Sequence, residues 1–452
     1  MENRGDASEL DPEVSARSQE TSSTFGEDGV DPAPSAPRFT MLVVGISWPL
    51  ETFLARLFSG LADRGVEITI ASAKRPDEKW GLRPRFRWLP LPPATGLAPI
   101  RLVKTAGVYA EALTRISRSA HESTPPGSPR WTRPASWKNW RTTLPFAAGQ
   151  WDVIYFPWNS SAIRYLPLFD SGTPVIVSCR GAQVNIAPHN PQRAEIPEGL
   201  RETFRRAAAV HCVSEAIRDE AMTFGLDPKK SRVITPAVDL DFFRPDPAIA
   251  AHENRRSDGD FRIVTTGSLI WRKGYEYLLS SLRILRNEGV PAVLDIIGDG
   301  PDRQRIMYNT RDLDLEGEVR LLGRRSPDSV RESLQQADAF ALSSLSEGIS
   351  NAVLEAMACG TPVVTTDCGG MREAVRDGCD GFVTPVREPA AMASALEQLW
   401  RDPSLRRRMG ESGRRAVIEK FSLRRQIAAF ATLCESVIGQ EQVSDGKRDR
   451  SD

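Results

Sequence analysis

The feature that most restricts the fold is a rhythm that runs twice along the chain. It opens with FTMLVVGIS (39–47), an apolar run ending in small residues. A run without polar alternation suits a strand covered on both faces, as strands of parallel sheets are. ETFLARLFSGLADRGVE (51–67) then carries apolar residues at helical spacing, and ITIAS supplies the next strand. Strand, loop, helix and strand make the opening unit of a doubly wound sheet. WDVIYF (151–156), TPVIVSC (173–179), AVHCVS (209–214) and SRVITPAV (231–238) continue it, alternating with helical stretches. Residues 247–260 are polar, poor in large apolar groups, and read as a linker.

FRIVTTGSL (261–269) starts the rhythm over, and a helix over 275–289 follows, stopped by Gly289. AVLDIIGDG (292–300), VRLLG (319–323), AFALSS (339–344), TPVVTTD (361–367) and GFVTP (381–385) supply further short strands. The fold class is therefore α/β, with two Rossmann-like domains over 39–246 and 261–422. Ligands of open parallel sheets bind beyond the carboxyl ends of the strands, which puts the expected site in the cleft between the domains.

Composition removes several classes of function. Lys+Arg and Asp+Glu are both 59, so the chain lacks the basic field of a nucleic-acid binder. Six cysteines are scattered without a CxxC pair, which suits buried thiols in a reducing compartment better than disulfides or zinc. No run approaches the roughly 18 apolar residues of a membrane span, and the N-terminus lacks the apolar core of a secretory signal. Residues 1–38 carry nine acids against three arginines and little to bury, so a disordered acidic leader is expected. The tail 439–452 reads the same way. The expected location is the cytoplasm.

Residues 114–148 interrupt the first domain. Six cations face the single acid Glu122, and Trp137, Trp140 and Leu144 would share one face of a short helix, with Lys138 and Arg141 on another. Two readings stand. One is a peripheral foot on the inner face of an anionic membrane, or a clamp on a lipid-linked acceptor; the other is a long insertion whose tryptophans pack it onto its own domain.

The chemistry concentrates in SEGISNAVLEAMACGTPVV (346–364). With Ser350 as N-cap and Gly360 just past the end, the helix between them is apolar on nearly every side and must be buried. Its mouth offers unpaired N–H groups and a partial positive charge, an anion site. Glu355 lies inside that helix, about 7.5 Å along its axis, with its side chain leaning back toward the mouth. A carboxylate there needs a partner. A ribose diol would satisfy it while phosphates sit at the helix end, and Glu347 in the preceding loop would reach what lies beyond them. Spacing alone also permits a buried arginine partner for Glu355 and a solvated Glu347.

The stretch resembles the E-x7-E signature of the family 4 glycosyltransferases of the GT-B fold. TGSLIWRKGYEYLLSSL (266–282), IIGDGP (296–301), VITPAVDLDFFRP (233–245), TPVVTTDCGGMREAV (361–375) and GFVTP resemble further elements of that family, in order. WPLETF (48–53), CRGAQVN (179–185) and VHCVSEA (210–216) are similar to its bacterial exopolysaccharide transferases of the colanic-acid type. The resemblance implies that Glu355 binds the donor ribose. It implies that Glu347 contacts the donor sugar and Lys273 neutralises the pyrophosphate, with the amides of Gly348, Ile349, Ser350 and Asn351 around it. The helix 423–438 would cross back to the first domain. A UDP-, GDP- or ADP-sugar is the implied donor, a saccharide or lipid-linked acceptor the implied recipient, and the reaction retains configuration.

Two positions depart from the family pattern. Ser268 stands where an arginine is usual, leaving Arg272 as the substitute second cation. Arg180-Gly181 replaces the common His-Gly, so Arg180, Gly181 and Ser47 are placed on the acceptor side. Asp239-Leu240-Asp241 and Asp312-Leu313-Asp314 do not resemble a strand-end metal site, so neither metal nor cofactor is expected. IIGDGP lacks the GxGxxG of a dehydrogenase. The departures leave one alternative from another class, a catalytically silent nucleotide-sugar-binding or assembly partner.

Overall fold

The computed structural model describes residues 38–76, 83–93, 97–119, 139, 142–247 and 259–448. The expected leader up to residue 37, most of the linker, and Trp137, Lys138, Trp140 and Arg141 of the insertion lie outside the described residues.

Seven strands form the first sheet: β1 (Phe39–Val44), β2 (Val66–Ser72), β3 (Phe86–Pro90), β4 (Val153–Phe156), β5 (Val175–Cys179), β6 (Ala209–Cys212) and β7 (Ser231–Val233). Their order is β3-β2-β1-β4-β5-β6-β7, all parallel, with Val43 of β1 between Ile70 and Tyr155. Six strands form the second: β8 (Phe261–Thr266), β9 (Ala292–Ile297), β10 (Val319–Gly323), β11 (Ala339–Leu342), β12 (Val363–Thr366) and β13 (Gly381–Thr384). Their order is β10-β9-β8-β11-β12-β13, again all parallel. Winding reverses between β1 and β4 in one sheet and between β8 and β11 in the other. Crevices open at such points.

Helices flank the sheets, among them α1 (Thr52–Asp63), α2 (Ala98–Ser119), α3 (Glu215–Thr223), α4 (Tyr275–Asn287), α5 (Asn351–Cys359), α6 (Met371–Ala374) and α7 (Leu423–Arg448). The two-residue period of β1 sends Met41 and Val43 to one face, against Phe58 of α1, and Leu42 and Val44 to the other, against Phe156. α7 follows the second domain in the chain but packs into the core of the first. Ile427, Phe430, Ala431, Cys434 and Val437 make one helical stripe against Met41 and Tyr155. Burial of each large apolar side chain there is worth about 1.5–3 kcal/mol. Cys179, Cys212, Cys359, Cys368 and Cys434 are buried free thiols, and Cys379 is exposed.

Three local expectations need correction. α7 runs to Arg448, ten residues past the expected end at 438, so the start of the supposed disordered tail is helical. Its packed turns supply the nucleus, and further polar residues then add to a helix at little cost. β7 is only three residues long, because Pro236 has no N–H to continue the ladder. Val238 N–H turns instead to the Phe421 carbonyl at 3.0 Å, beside the start of α7. Finally, β3 and α2 add to the elements expected from the sequence; FRWLP is a half-exposed edge strand closed by proline, with no buried run to mark it.

Candidate active site

Two loops at the switch point of the second sheet are zipped together. The loop after β8 leads into α4 through Gly274, whose φ of 62° is left-handed. A β-carbon there would lie 2.3 Å from the Ser343 carbonyl oxygen in the loop after β11, so only glycine fits. Leu345 N–H donates to the Arg272 carbonyl at 2.7 Å, and Ser343 Oγ donates to the Lys273 carbonyl at 3.0 Å. Lys273 Nζ thereby meets Glu347 Oε1 at 2.5 Å, and Ser344 Oγ donates to the same oxygen at 2.8 Å. The two ions are nearly enclosed, with 13% and 10% of their side chains accessible.

α5 begins where its sequence places it. Ser350 has extended backbone at the cap position and Gly360 closes the helix in the left-handed region, at φ 82°. The Ser350 hydroxyl makes no cap hydrogen bond, however, and its N–H faces the sulfur of Met371 at 3.4 Å, a weak acceptor. Asn351 at the first turn has a buried side-chain oxygen without a partner among the described residues. Glu355 follows four residues later on the same face. Its half-buried carboxylate has no hydrogen bond or ion pair among the described residues. Burial pushes this carboxyl up to about 7, with Arg56 of α1 opposing the rise. An arginine is therefore near Glu355 without forming an ion pair with it.

Loops of the two domains enclose a cavity of about 440 Å³. Arg272, Glu347, Ile349 and Asn351 line it from the second domain, and Arg180 and Gly181 from the first. Ser47 does not join them; it is exposed, and the loop after β1 reaches the cavity through Glu51 and Phe53 instead. Ser268 is likewise exposed and off the lining, so the two departures from the family pattern differ in position: Arg180 faces the cavity and Ser268 does not. Trp158 and Gln426 of α7 also line it. No motif marks Trp158 or Gln426 in the sequence, and the WPLETF segment that holds Glu51 and Phe53 carries only a family resemblance. Among the described residues no cluster of three His, Cys, Asp or Glu side chains could hold a metal ion.

The domains touch through backbone. A β-carbon on Gly348 would meet Val213 Cγ2 at 2.6 Å and the Arg180 carbonyl oxygen at 2.9 Å, both in the first domain. Beside this contact, the Glu373 carboxylate of α6 accepts from the N–H groups of Glu215 and Ala216 at 2.9 and 3.0 Å. A side chain of one domain thus caps α3 of the other, where an anion is favoured.

Residues 249–416 match the family described as glycosyl transferases group 1, and residues 50–242 match glycosyltransferase family 4. The two matches follow one another across both sheets. The chain belongs to the family 4 glycosyltransferases.

This glycosyltransferase is 33% identical over 174 residues to LpsE of Rhizobium meliloti, a lipopolysaccharide core biosynthesis glycosyltransferase, covering 38% of this chain and 49% of that one. The chain thus spans about half the length of LpsE. It is 26% identical over 379 residues to WcaL of Salmonella typhimurium, a glycosyltransferase named for colanic acid biosynthesis, covering 79% and 89% of the two chains. Its fold is that of HepE from Anabaena, solved with UDP and glucose, at a TM-score of 0.66, 17% identity and coverage of 88% and 100%. Sucrose-phosphate synthase from Thermosynechococcus elongatus superposes with a TM-score of 0.70 at 17% identity, covering 90% and 100%. The two parallel-sheet domains are those of GT-B glycosyltransferases.

Proposed function

We propose that this glycosyltransferase moves a hexosyl group, with retention, from a nucleotide-diphosphate sugar to a saccharide or lipid-linked acceptor in exopolysaccharide or cell-surface glycan synthesis. One observation carries the reading. Glu355 and the Asn351 side-chain oxygen lack partners among the described residues on one face of α5, while the Lys273–Glu347 pair stands near its start. A ribose supplies two hydroxyls to the first, and a diphosphate supplies charge to Lys273 and Arg272. The UDP and glucose in the structure of HepE, and the naming of WcaL for a polysaccharide pathway, support the same assignment.

In the proposed step the bond between the sugar's reacting carbon and the diphosphate oxygen breaks, and its electron pair leaves with the phosphate. The acceptor hydroxyl oxygen bonds to that carbon from the same face, and its proton passes to the leaving phosphate oxygen. Lys273, Arg272 and the amides near Ile349 hold the growing phosphate charge, while Glu347 faces the positive charge on the sugar. The reading includes no metal or cofactor.

Contact with a membrane from the cytoplasmic side is part of the proposal. Among the described residues no helix is long and apolar enough to cross one. α2, however, exposes Ile100, Leu102 and Val103 next to Arg101 and Lys104, the composition of a surface helix. Leu102→Ser with Val103→Ser is expected to reduce flotation with anionic vesicles; undiminished flotation removes that contact.

A thermal-shift panel of UDP-, GDP- and ADP-sugars tests the donor assignment, since a bound ligand raises stability by RT ln(1 + [L]/Kd). Stabilisation by one of them with turnover lost in Glu347→Gln is the expected result. Stabilisation without turnover in the wild type would favour the silent binding partner, and no stabilisation would remove both readings.

A further inference from the structure

Behind the cavity wall runs a hydrogen-bond chain through Tyr155, Ser178 and His211, all fully buried. Its direction can be read from its far end. His211 Nε2 lies 2.8 Å from the Ile234 carbonyl oxygen, which can only accept, so Nε2 carries the proton. Burial and the nearby Arg180 charge depress the imidazole to about 3, so the ring is neutral and Nδ1 accepts. Ser178 Oγ, 2.7 Å away, must donate to it. The single serine proton being spent, Tyr155 donates to Ser178 at 2.8 Å. The tyrosine oxygen then accepts from Arg180 Nη2 at 2.8 Å.

The chain therefore ends on a cation in the cavity wall. Arg180 is fixed from other sides too: Nε donates to the Pro157 carbonyl at 3.2 Å, and the guanidinium lies over Phe53 at 4.7 Å and Trp158 at 6.0 Å. These partners are all neutral. Among the described residues no carboxylate forms an ion pair with Arg180, and of five guanidinium N–H groups only two are engaged. Glu51 shares the cavity wall, where burial raises its carboxyl and the Arg180 charge opposes the rise, but it makes no ion pair with the guanidinium. A rigid cation with N–H groups to spare, facing a cavity, can meet an anion. The aromatic rings beside it offer flat apolar faces to a sugar. Arg272 lines the cavity from the second domain, and with Lys273 next to it makes the proposed diphosphate position. Arg180 belongs to the other side.

We infer that Tyr155, Ser178 and His211 are positioning residues that hold Arg180 as the contact for an anionic group, carboxylate or phosphate, on the acceptor saccharide. The inference rests on the glycosyltransferase reading of the cavity.

Calorimetric titration of the UDP-saturated protein with D-glucuronate, glucose 6-phosphate and glucose tests it. The wild type is expected to bind one of the two acids about tenfold more tightly than glucose, the scale of a charge-assisted hydrogen bond. Whichever acid is preferred names the group. Arg180→Gln should abolish the preference, and Tyr155→Phe, which keeps the ring, should reduce it severalfold. His211→Gln offers one donor and one acceptor and should retain it, while His211→Leu should lose it. Equal binding of acids and glucose, a preference that survives Arg180→Gln, or equal loss in His211→Gln and His211→Leu would overturn the inference. If His211→Leu does not fold, Tyr155→Phe decides. Affinity for UDP, or for GDP or ADP where the protein binds that instead, should be the same in every variant; a wild type that binds none of the three removes the donor reading itself.

Discussion

A β-carbon on Gly181 would stand 3.2 Å from the amide nitrogen of Gly348, across the boundary between the two domains. Two glycines let the loop that presents Arg180 lie against the loop that presents Glu347. Gly348→Ala puts a methyl group against Val213 and the Arg180 carbonyl, and the carbonyl cannot rotate away as a side chain can. The domains must part by a fraction of an ångström to an ångström. Turnover is expected to fall about 10²-fold, the scale of a small misplacement of reacting groups. Steady-state kinetics checks this, and wild-type turnover in a folded Gly348→Ala protein would show that the contact is dispensable.

The Lys273–Glu347 pair predicts a pattern of stabilities as well as rates. Glu347→Gln should lower turnover 10²-fold or more, as loss of a preorganised charge does. Lys273→Met leaves the Glu347 carboxylate enclosed without its cation, at a cost on the order of 3 kcal/mol. Removing both charges leaves neither group uncompensated. The double variant should therefore melt above the Lys273→Met single variant, and equal melting would show that the ions are independent.

Glu355 predicts opposite effects on stability and binding. Its carboxyl is raised from 4.5 to about 7 by burial, so the folded state holds the proton more tightly than the unfolded chain. That stability is fully present below about 4.5 and is lost as pH rises through about 7. At pH 8 the unliganded Glu355→Gln protein should melt a few degrees above the wild type, reflecting about 1–3 kcal/mol, and the gap should close toward pH 4.5. UDP binding at pH 8 should meanwhile weaken. A variant no more stable than the wild type at pH 8 would contradict the cause assigned to the shift.

His211 carries the opposite sign. Its pKa is depressed from 6.5 to about 3, so the unfolded chain binds the proton more readily. The contribution is present above 6.5 and declines as pH falls from 6.5 toward 3. Melting curves of His211→Gln should lose less stability than the wild type over that window. Parallel curves would mean that the buried ring titrates normally.

Glu373→Ala removes the cap that one domain places on a helix of the other. The loss of two hydrogen bonds from helix-end amides to a carboxylate is worth about 1–2 kcal/mol. Because the bond spans the domains, solution scattering of the variant should report a larger radius of gyration. An unchanged radius would show that the remaining contacts hold the domains together without it.

The sheets were legible in the sequence because a buried parallel strand must be apolar whichever way its side chains point. β1, β8 and β12 need no partner to be recognised, and the capping pattern of α5 likewise rests on neighbours in the chain. The edge strand β3 was not legible, since its outer face and its proline erase the signal. Motifs mark Glu347, Glu355, Lys273, Ser47 and Ser268 alike, yet of these only Glu347 lines the cavity. A loop's path decides which of its side chains turns inward, and that path depends on what it packs against.

By itself, then, the sequence determined two parallel-sheet domains and the helix whose buried face carries Glu355, because burial and capping act over short stretches of chain. Only the tertiary structure decided the cavity. It brought Lys273 to Glu347 across 74 positions, Gly181 to Gly348, and Gln426 of α7 back to the first domain's side. It also decided what Arg180 is. No local pattern links Tyr155, Ser178 and His211, which lie on three strands; parallel pairing of β4, β5 and β6 sets them side by side, and their protons can then point only one way.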